Sequence, residues 1–102
     1  MKVDYSKDFE KSVRKLSGKV LHSVIDMIDE VKAATSIGDI TDCKKIETFK
    51  NVYRIRVGSK RAYFVLHISL DGDTARFEYL FSRGEAYDKK NMQKLRIHDV
   101  EK

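Results

Sequence analysis

The hydrophobic period changes once along this chain. Up to about Asp42 the apolar residues recur at helical spacing; beyond it they alternate with polar ones, as on a strand. Phe9, Val13 and Leu16 fall at i, i+4 and i+7, which predicts a helix from Ser6 to Ser17. Ser6 has the side chain of an N-cap, Asp8 suits the first turn, and Gly18 is the expected stop. A longer stripe follows in Leu21, Val24, Ile25, Ile28, Val31 and Lys32, ending near Ala34 or Thr35, before a turn at Ser36-Ile37-Gly38-Asp39. Joined at Ser17-Gly18, the two helices are expected to lie antiparallel as a hairpin.

After Asp42 the strands begin. Lys45 to Phe49 alternates weakly, whereas Val52-Tyr53-Arg54-Ile55-Arg56-Val57 alternates cleanly. Gly58-Ser59-Lys60 reads as a hairpin loop, Arg61 to Leu70 as a β-rich run, Asp71-Gly72 as a second hairpin, and Thr74 to Ser82 as the next strand. Tight turns between consecutive strands make them antiparallel. Lys2 to Tyr5 suits a short strand, and Tyr87 to Ile97 a helix with Met92 and Leu95 facing in. Helices followed by a strand meander predict an α+β fold: an N-terminal helical hairpin packed on a twisted antiparallel sheet, with a short C-terminal helix. The sheet face away from the hairpin is expected to be open.

Composition removes several classes of function. With 102 residues the chain is expected to form a single domain spanning 1–102. Ten per cent aromatic content, all Tyr and Phe, is enough for a core and argues against disorder. The one cysteine, Cys43, makes neither an internal disulfide nor a Cys-rich zinc site, and without a His partner it is not expected to be a nucleophile. No apolar run approaches a membrane span, and no signal-peptide h-region follows Met1, so a cytoplasmic protein without a membrane partner is expected. Neither a metal-ligand spacing nor a glycine-rich phosphate loop is present, and no cofactor is expected. A net charge of +5 favours an acidic or polyanionic partner.

Residues two apart on a strand share a face, so Tyr53, Ile55 and Val57 should point to the helices and Arg54 and Arg56 away from them. Arg61 opens the next strand close to that pair, and Arg83 closes the last. Converging guanidiniums offer planar, bidentate donors matched to phosphate oxygens. They should be solvent-exposed. Gly84 lets the chain turn so that Tyr87 can fold back toward the arginines and stack on a base or share a proton. His67 has the strand parity of Arg61 and is a titratable candidate, while His22 and His98 stand alone and carry no signal.

In order and length these pieces resemble the RelE/ParE superfamily of bacterial type II toxin–antitoxin toxins. The likeness runs from Tyr5-Ser6-Lys7-Asp8-Phe9 through a helix ending Arg14-Lys15-Leu16. It continues in Tyr53-Arg54-Ile55-Arg56-Val57-Gly58 with Arg61, and closes in Arg83-Gly84-Glu85-Ala86-Tyr87. The resemblance implies a microbial RNase-like fold and, for the RelE-like branch, messenger RNA cleavage in the ribosomal A site. It maps the family's catalytic set onto Arg61, Arg83 and Tyr87, with Arg54 and Arg56 holding phosphates. Arginine is a poor general base. Proton transfer is left to Tyr87, His67, Glu47, Glu85 or the ribosome itself. The ParE-like branch, which inhibits DNA gyrase and cuts nothing, is the alternative, and a non-catalytic RNA-binding or interaction module is a third. The family also implies a cognate antitoxin, often acidic, that meets the C-terminal segment Tyr87 to Lys102 and supplies the contacts to operator DNA.

Overall fold

The computed structural model describes residues 1–85 and 88–98. Along the chain run β1 (Lys2–Tyr5), α1 (Lys7–Arg14), α2 (Gly18–Ala33), a 3₁₀ turn (Ile37–Asp39), β2 (Cys43–Lys45), β3 (Val52–Val57), β4 (Lys60–His67), β5 (Thr74–Ser82) and α3 (Lys89–His98). The fold is α+β, as the change of period predicts. The strands form one sheet in the order β1-β5-β4-β3-β2. β2 to β5 are antiparallel neighbours, but β1 lies parallel to β5, so the sheet is mixed rather than wholly antiparallel. The N-terminal strand reaches β5 only through long-range pairing, which a local period does not encode.

Ser6 shows how the first helix is set. Its hydroxyl accepts from Phe9 N (3.0 Å) and donates to the Glu78 carbonyl (2.6 Å), so one buried side chain caps α1 and ties it to β5. Helix α1 stops at Arg14, short of the expected Ser17. Gly18 does not end it but begins α2, at φ +60°, a left-handed conformation that suits glycine and turns the chain between the helices. On α2, Val24, Met27 and Val31 are buried. Ile25, expected in the stripe, is 44% exposed, because the buried face centres on Met27 instead.

The first core lies between α1–α2 and the sheet. Phe9 and Phe77 have ring centroids 5.1 Å apart, Phe64 and Phe77 5.3 Å, and all three side chains are fully buried. Ile55 and Val57 join this core as their parity requires, with Tyr53 packed against its margin. The opposite face is not open. There, Val52, Tyr63, Val65, Tyr79 and Phe81 form a second core with Phe49 and the fully buried Leu95 of α3. The inward Leu95 was legible from the helical period; that its partner is the supposedly free face was not. Expected strand Lys45–Phe49 shortens to Cys43–Lys45 and a turn in which Phe49 N donates to Ile46 O (3.0 Å), tucking Phe49 onto this core.

Candidate nucleic-acid interface

Strand register assembles the arginines. Arg56 pairs directly with Arg61 across β3–β4, Arg54 pairs with Tyr63, and Arg61 pairs with Phe81 across β4–β5. Directly opposed residues sit about 4.5–5.5 Å apart at Cα, so Arg54, Arg56 and Arg61 share the face that carries the second core. Their burial is unequal. Arg56 is exposed and Arg54 half-buried. Arg61 is only 6% exposed, which corrects the expectation of a solvent-facing side chain. The cause is the adjoining loop: Arg61 Nη1 donates to the carbonyls of Gly58 (3.3 Å) and Lys60 (3.1 Å) and draws the guanidinium back over the hairpin.

The Nε atoms of Arg54 and Arg61 are both buried and have no hydrogen-bond partner among the described residues. A buried donor without an acceptor is costly, on the order of 1–3 kcal/mol, and rare in folded proteins. Anionic oxygens are the acceptors that guanidinium donors bind best. Arg83 follows β5 directly. Because Ser82 pairs with Lys60, the exposed Arg83 leaves the sheet at the same end as the Gly58–Lys60 hairpin and Arg61.

The remaining candidates are dispersed. His67 ends β4 six residues from Arg61, about 20 Å along a strand. Glu47 is exposed in the β2–β3 turn, at the end of β3 away from the hairpin. Glu85 lies near Arg83 in sequence but is engaged as a turn cap, accepting from Ser82 N at 2.9 Å while its own N–H faces Ser82 Oγ at 3.4 Å. Those bonds, helped by Lys60 and Lys15, lower its pKa and make it a weak proton acceptor. Tyr87 lies outside the described residues. Burial pushes the Cys43 thiol up to about 11, which keeps it protonated and unreactive near neutrality.

Two features escaped the sequence reading. A cleft of about 450 Å³ opens between α1, the end of β5 and α3; Lys11, Lys15, Lys60 and Lys94 line it with Asp8 and Glu85. Lys11 on α1 and Lys15 at its C-cap are spaced i, i+4, which was a visible signal, but Lys60 and Lys94 reach the same cleft only through tertiary packing. The second feature is ionic. Glu78, 3% exposed, pairs with Arg76 Nε (3.0 Å) and lies 3.7 Å from His98 Nδ1, while Arg76 also bonds Asp4. Nothing in the sequence marks Glu78 for burial, since it is the extra residue where the β4–β5 register shifts between the Tyr63–Tyr79 and Phe64–Phe77 pairs.

No family model matches the chain. A curated relative, Toxin RelE3 of Methanocaldococcus jannaschii, is 35% identical over 89 residues, which cover 86% of this chain and 97% of the relative. The structure is similar to a chain of the RelB-RelE antitoxin-toxin complex from Methanococcus jannaschii, with a TM-score of 0.65, 27% identity, and coverage of 83% of this chain and 95% of that one. It is equally similar in fold, at TM-score 0.65 but 19% identity, to a chain of the archaeal RelE-RelB complex from Pyrococcus horikoshii OT3, over 81% of this chain and 94% of that one. On the identity and coverage of the curated relative, this chain belongs to the RelE family of toxins.

Proposed function

We propose that this toxin is a ribosome-dependent messenger RNA endonuclease. The observation that supports it most is the strand register that sets Arg54, Arg56 and Arg61 on one face, with the exposed Arg83 leaving the sheet at the same end. In this reading the ribose 2′-OH attacks the adjacent phosphorus and the P–O5′ bond breaks, leaving a 2′,3′-cyclic phosphate and a 5′-hydroxyl. Arg61 and Arg83 stabilise the charge that builds on the phosphorane, where aligned donors in a dry site are most effective. Arg54 and Arg56 hold the scissile and flanking phosphates. Tyr87 stacks on a base or accepts the proton, a role for which a phenol must be acidified by neighbouring cations. Alignment of the 2′-oxygen with phosphorus on the ribosome supplies much of the remaining rate, since well-oriented intramolecular attack is worth roughly 7–11 kcal/mol.

The partner follows from the relatives. The two solved structures described above are toxin–antitoxin complexes, and we infer that this chain too is neutralised by a cognate antitoxin. The +5 charge suits an acidic segment that meets the toxin at Tyr87 to Lys102, and contacts to operator DNA would come from the antitoxin. The setting is the cytoplasm, where ribosomes and mRNA are the target; among the described residues no helix is long and apolar enough to cross a membrane.

Cell-free translation with purified protein, read by primer extension, tests the proposal. The expected result is mRNA cut at codon positions on translating ribosomes, abolished by Arg61→Ala or Arg83→Ala. Intact mRNA together with loss of gyrase supercoiling would replace it with the gyrase-inhibitor reading. Neither effect, with no growth arrest on expression, would leave a binding module only.

A further inference from the structure

The arginine set lacks a proton acceptor, and the described candidates from the sequence do not supply one: His67 and Glu47 lie away from the hairpin end, and Glu85 is occupied. The second core contains titratable groups that no step above uses. The Tyr79 hydroxyl lies 3.3 Å from His98 Nε2, and the ring centroids are 5.9 Å apart. On the other side of the same imidazole, Nδ1 is 3.7 Å from the buried Glu78 carboxylate. A carboxylate there favours the tautomer with its proton on Nδ1 and leaves Nε2 to accept from the phenol. Tyr79 lines the lysine cleft and pairs with Tyr63, two residues from Arg61 on the same face. The His98 side chain is 37% exposed, so the end of the chain of groups reaches solvent.

We propose that Tyr79 and His98, with Glu78 as the positioning residue, form the proton relay of the cleavage reaction, reached by RNA through the cleft between α1, β5 and α3. The inference rests on the nuclease reading. The proton of the ribose 2′-OH passes to Tyr79 Oη as the phenolic proton passes to His98 Nε2. The 2′-oxygen bonds to phosphorus, the P–O5′ bond breaks, and the leaving oxygen takes a proton from water. The imidazolium, steadied by Glu78, returns its proton to solvent. Burial, with the anions Asp8 and Glu78 nearby, raises the Tyr79 pKa, so the phenol rests protonated and acts as a carrier rather than as a standing base. The charged groups around the relay are Glu78 and Arg76 on β5, Asp8 on α1, Lys94 of α3 in the same cleft, and Asp4 on β1 through Arg76, while Arg96 of α3 stacks over Phe49. The lysines Lys11, Lys15, Lys60 and Lys94 would track the RNA backbone into the cleft.

Single-turnover cleavage of ribosome-bound mRNA, measured from about pH 6 to 9 alongside thermal melting, tests the relay. Tyr79→Phe keeps the ring in the core and should lose about 100-fold or more in rate. His98→Ala should lose a similar factor and recover part of it with added imidazole, which a purely structural role would not allow. Glu78→Gln should lower the single-turnover rate with the half-saturating ribosome concentration unchanged, because the imidazole loses the carboxylate that orients it. Wild-type cleavage with undiminished rate in Tyr79→Phe, or a folded His98→Ala that imidazole does not rescue, overturns the relay and leaves the nuclease reading intact. A wild-type protein that cuts no mRNA overturns both.

Discussion

The two faces of the sheet are made from the same alternating strands and finished differently. On the α1–α2 face, parity delivers only apolar side chains to the centre, and Phe9, Phe64 and Phe77 close around one another with nothing exposed. On the other face the same alternation delivers Arg54, Arg56 and Arg61 beside Tyr63, Val65 and Phe81, and a single helix, α3, covers the apolar part through Leu95. The first face is a stability element. The second divides its strands between a smaller core and a row of guanidiniums, and its polar groups are incompletely satisfied. An unsatisfied buried polar group in a folded protein calls for an explanation of its own, whereas among the described residues the first face offers none to explain.

Substitutions can break this contrast. The largest stability effect should come from the first face: Phe64→Ala or Phe77→Ala should cost about 3–5 kcal/mol in urea melts, as truncation of a fully buried phenylalanine does. Leu95→Ala should come next at about 2–4 kcal/mol, with hydrogen-exchange protection lost first in α3 and retained in β4 and β5. Equal loss of protection across both faces would show that they are one cooperative unit rather than two. Ser6→Ala removes the α1 cap and its bond to Glu78 O, at about 1 kcal/mol, readable as a small drop in melting temperature. Arg56→Ala, exposed on the second face, should change stability by less than about 0.5 kcal/mol while weakening affinity for single-stranded RNA and reducing its salt dependence.

The smallest effect is the pH dependence of the folded state. The folded pKa of Glu85 is below its ordinary 4.5 and that of Asp4 below its ordinary 3.8, in both cases chiefly through hydrogen bonds to the backbone. A lowered carboxyl stabilises the fold above the unfolded pKa and loses that contribution as pH falls through the folded value. Their contribution should be constant from neutrality to about pH 5 and decline only below that, seen as a shallow acid limb in thermal melts. Both groups are largely exposed, so salt should weaken it.

Much of this architecture could be read from local pattern. The change of period after Asp42 announced α+β, Ser6 announced its cap, and the parity of Val52–Val57 separated Ile55 from Arg54 and Arg56. What stayed hidden depends on contacts distant in sequence. The parallel pairing of β1 with β5 joins residues about seventy positions apart. The closing of the second face needs α3 to dock on Tyr63 and Phe81, and Arg61 loses its exposure to carbonyls contributed by its own hairpin. His98 stood alone in the sequence and gains neighbours only when α3 places it beside Glu78 and Tyr79. The same holds for the lysine cleft, which gathers residues from four separate elements, α1, β4, β5 and α3.

In the proposed function, the arginines of the second face, with Arg83 at its end, receive RNA phosphates. This claim is tested most directly by NMR of the arginine Nε–Hε groups while a non-cleavable, 2′-O-methylated oligonucleotide is titrated in. The Nε–Hε signals of the exposed Arg56 and Arg83 should move downfield and become protected from exchange as the complex forms. If the oligonucleotide binds while both signals stay where they were, those donors do not hold phosphate and the claim is wrong.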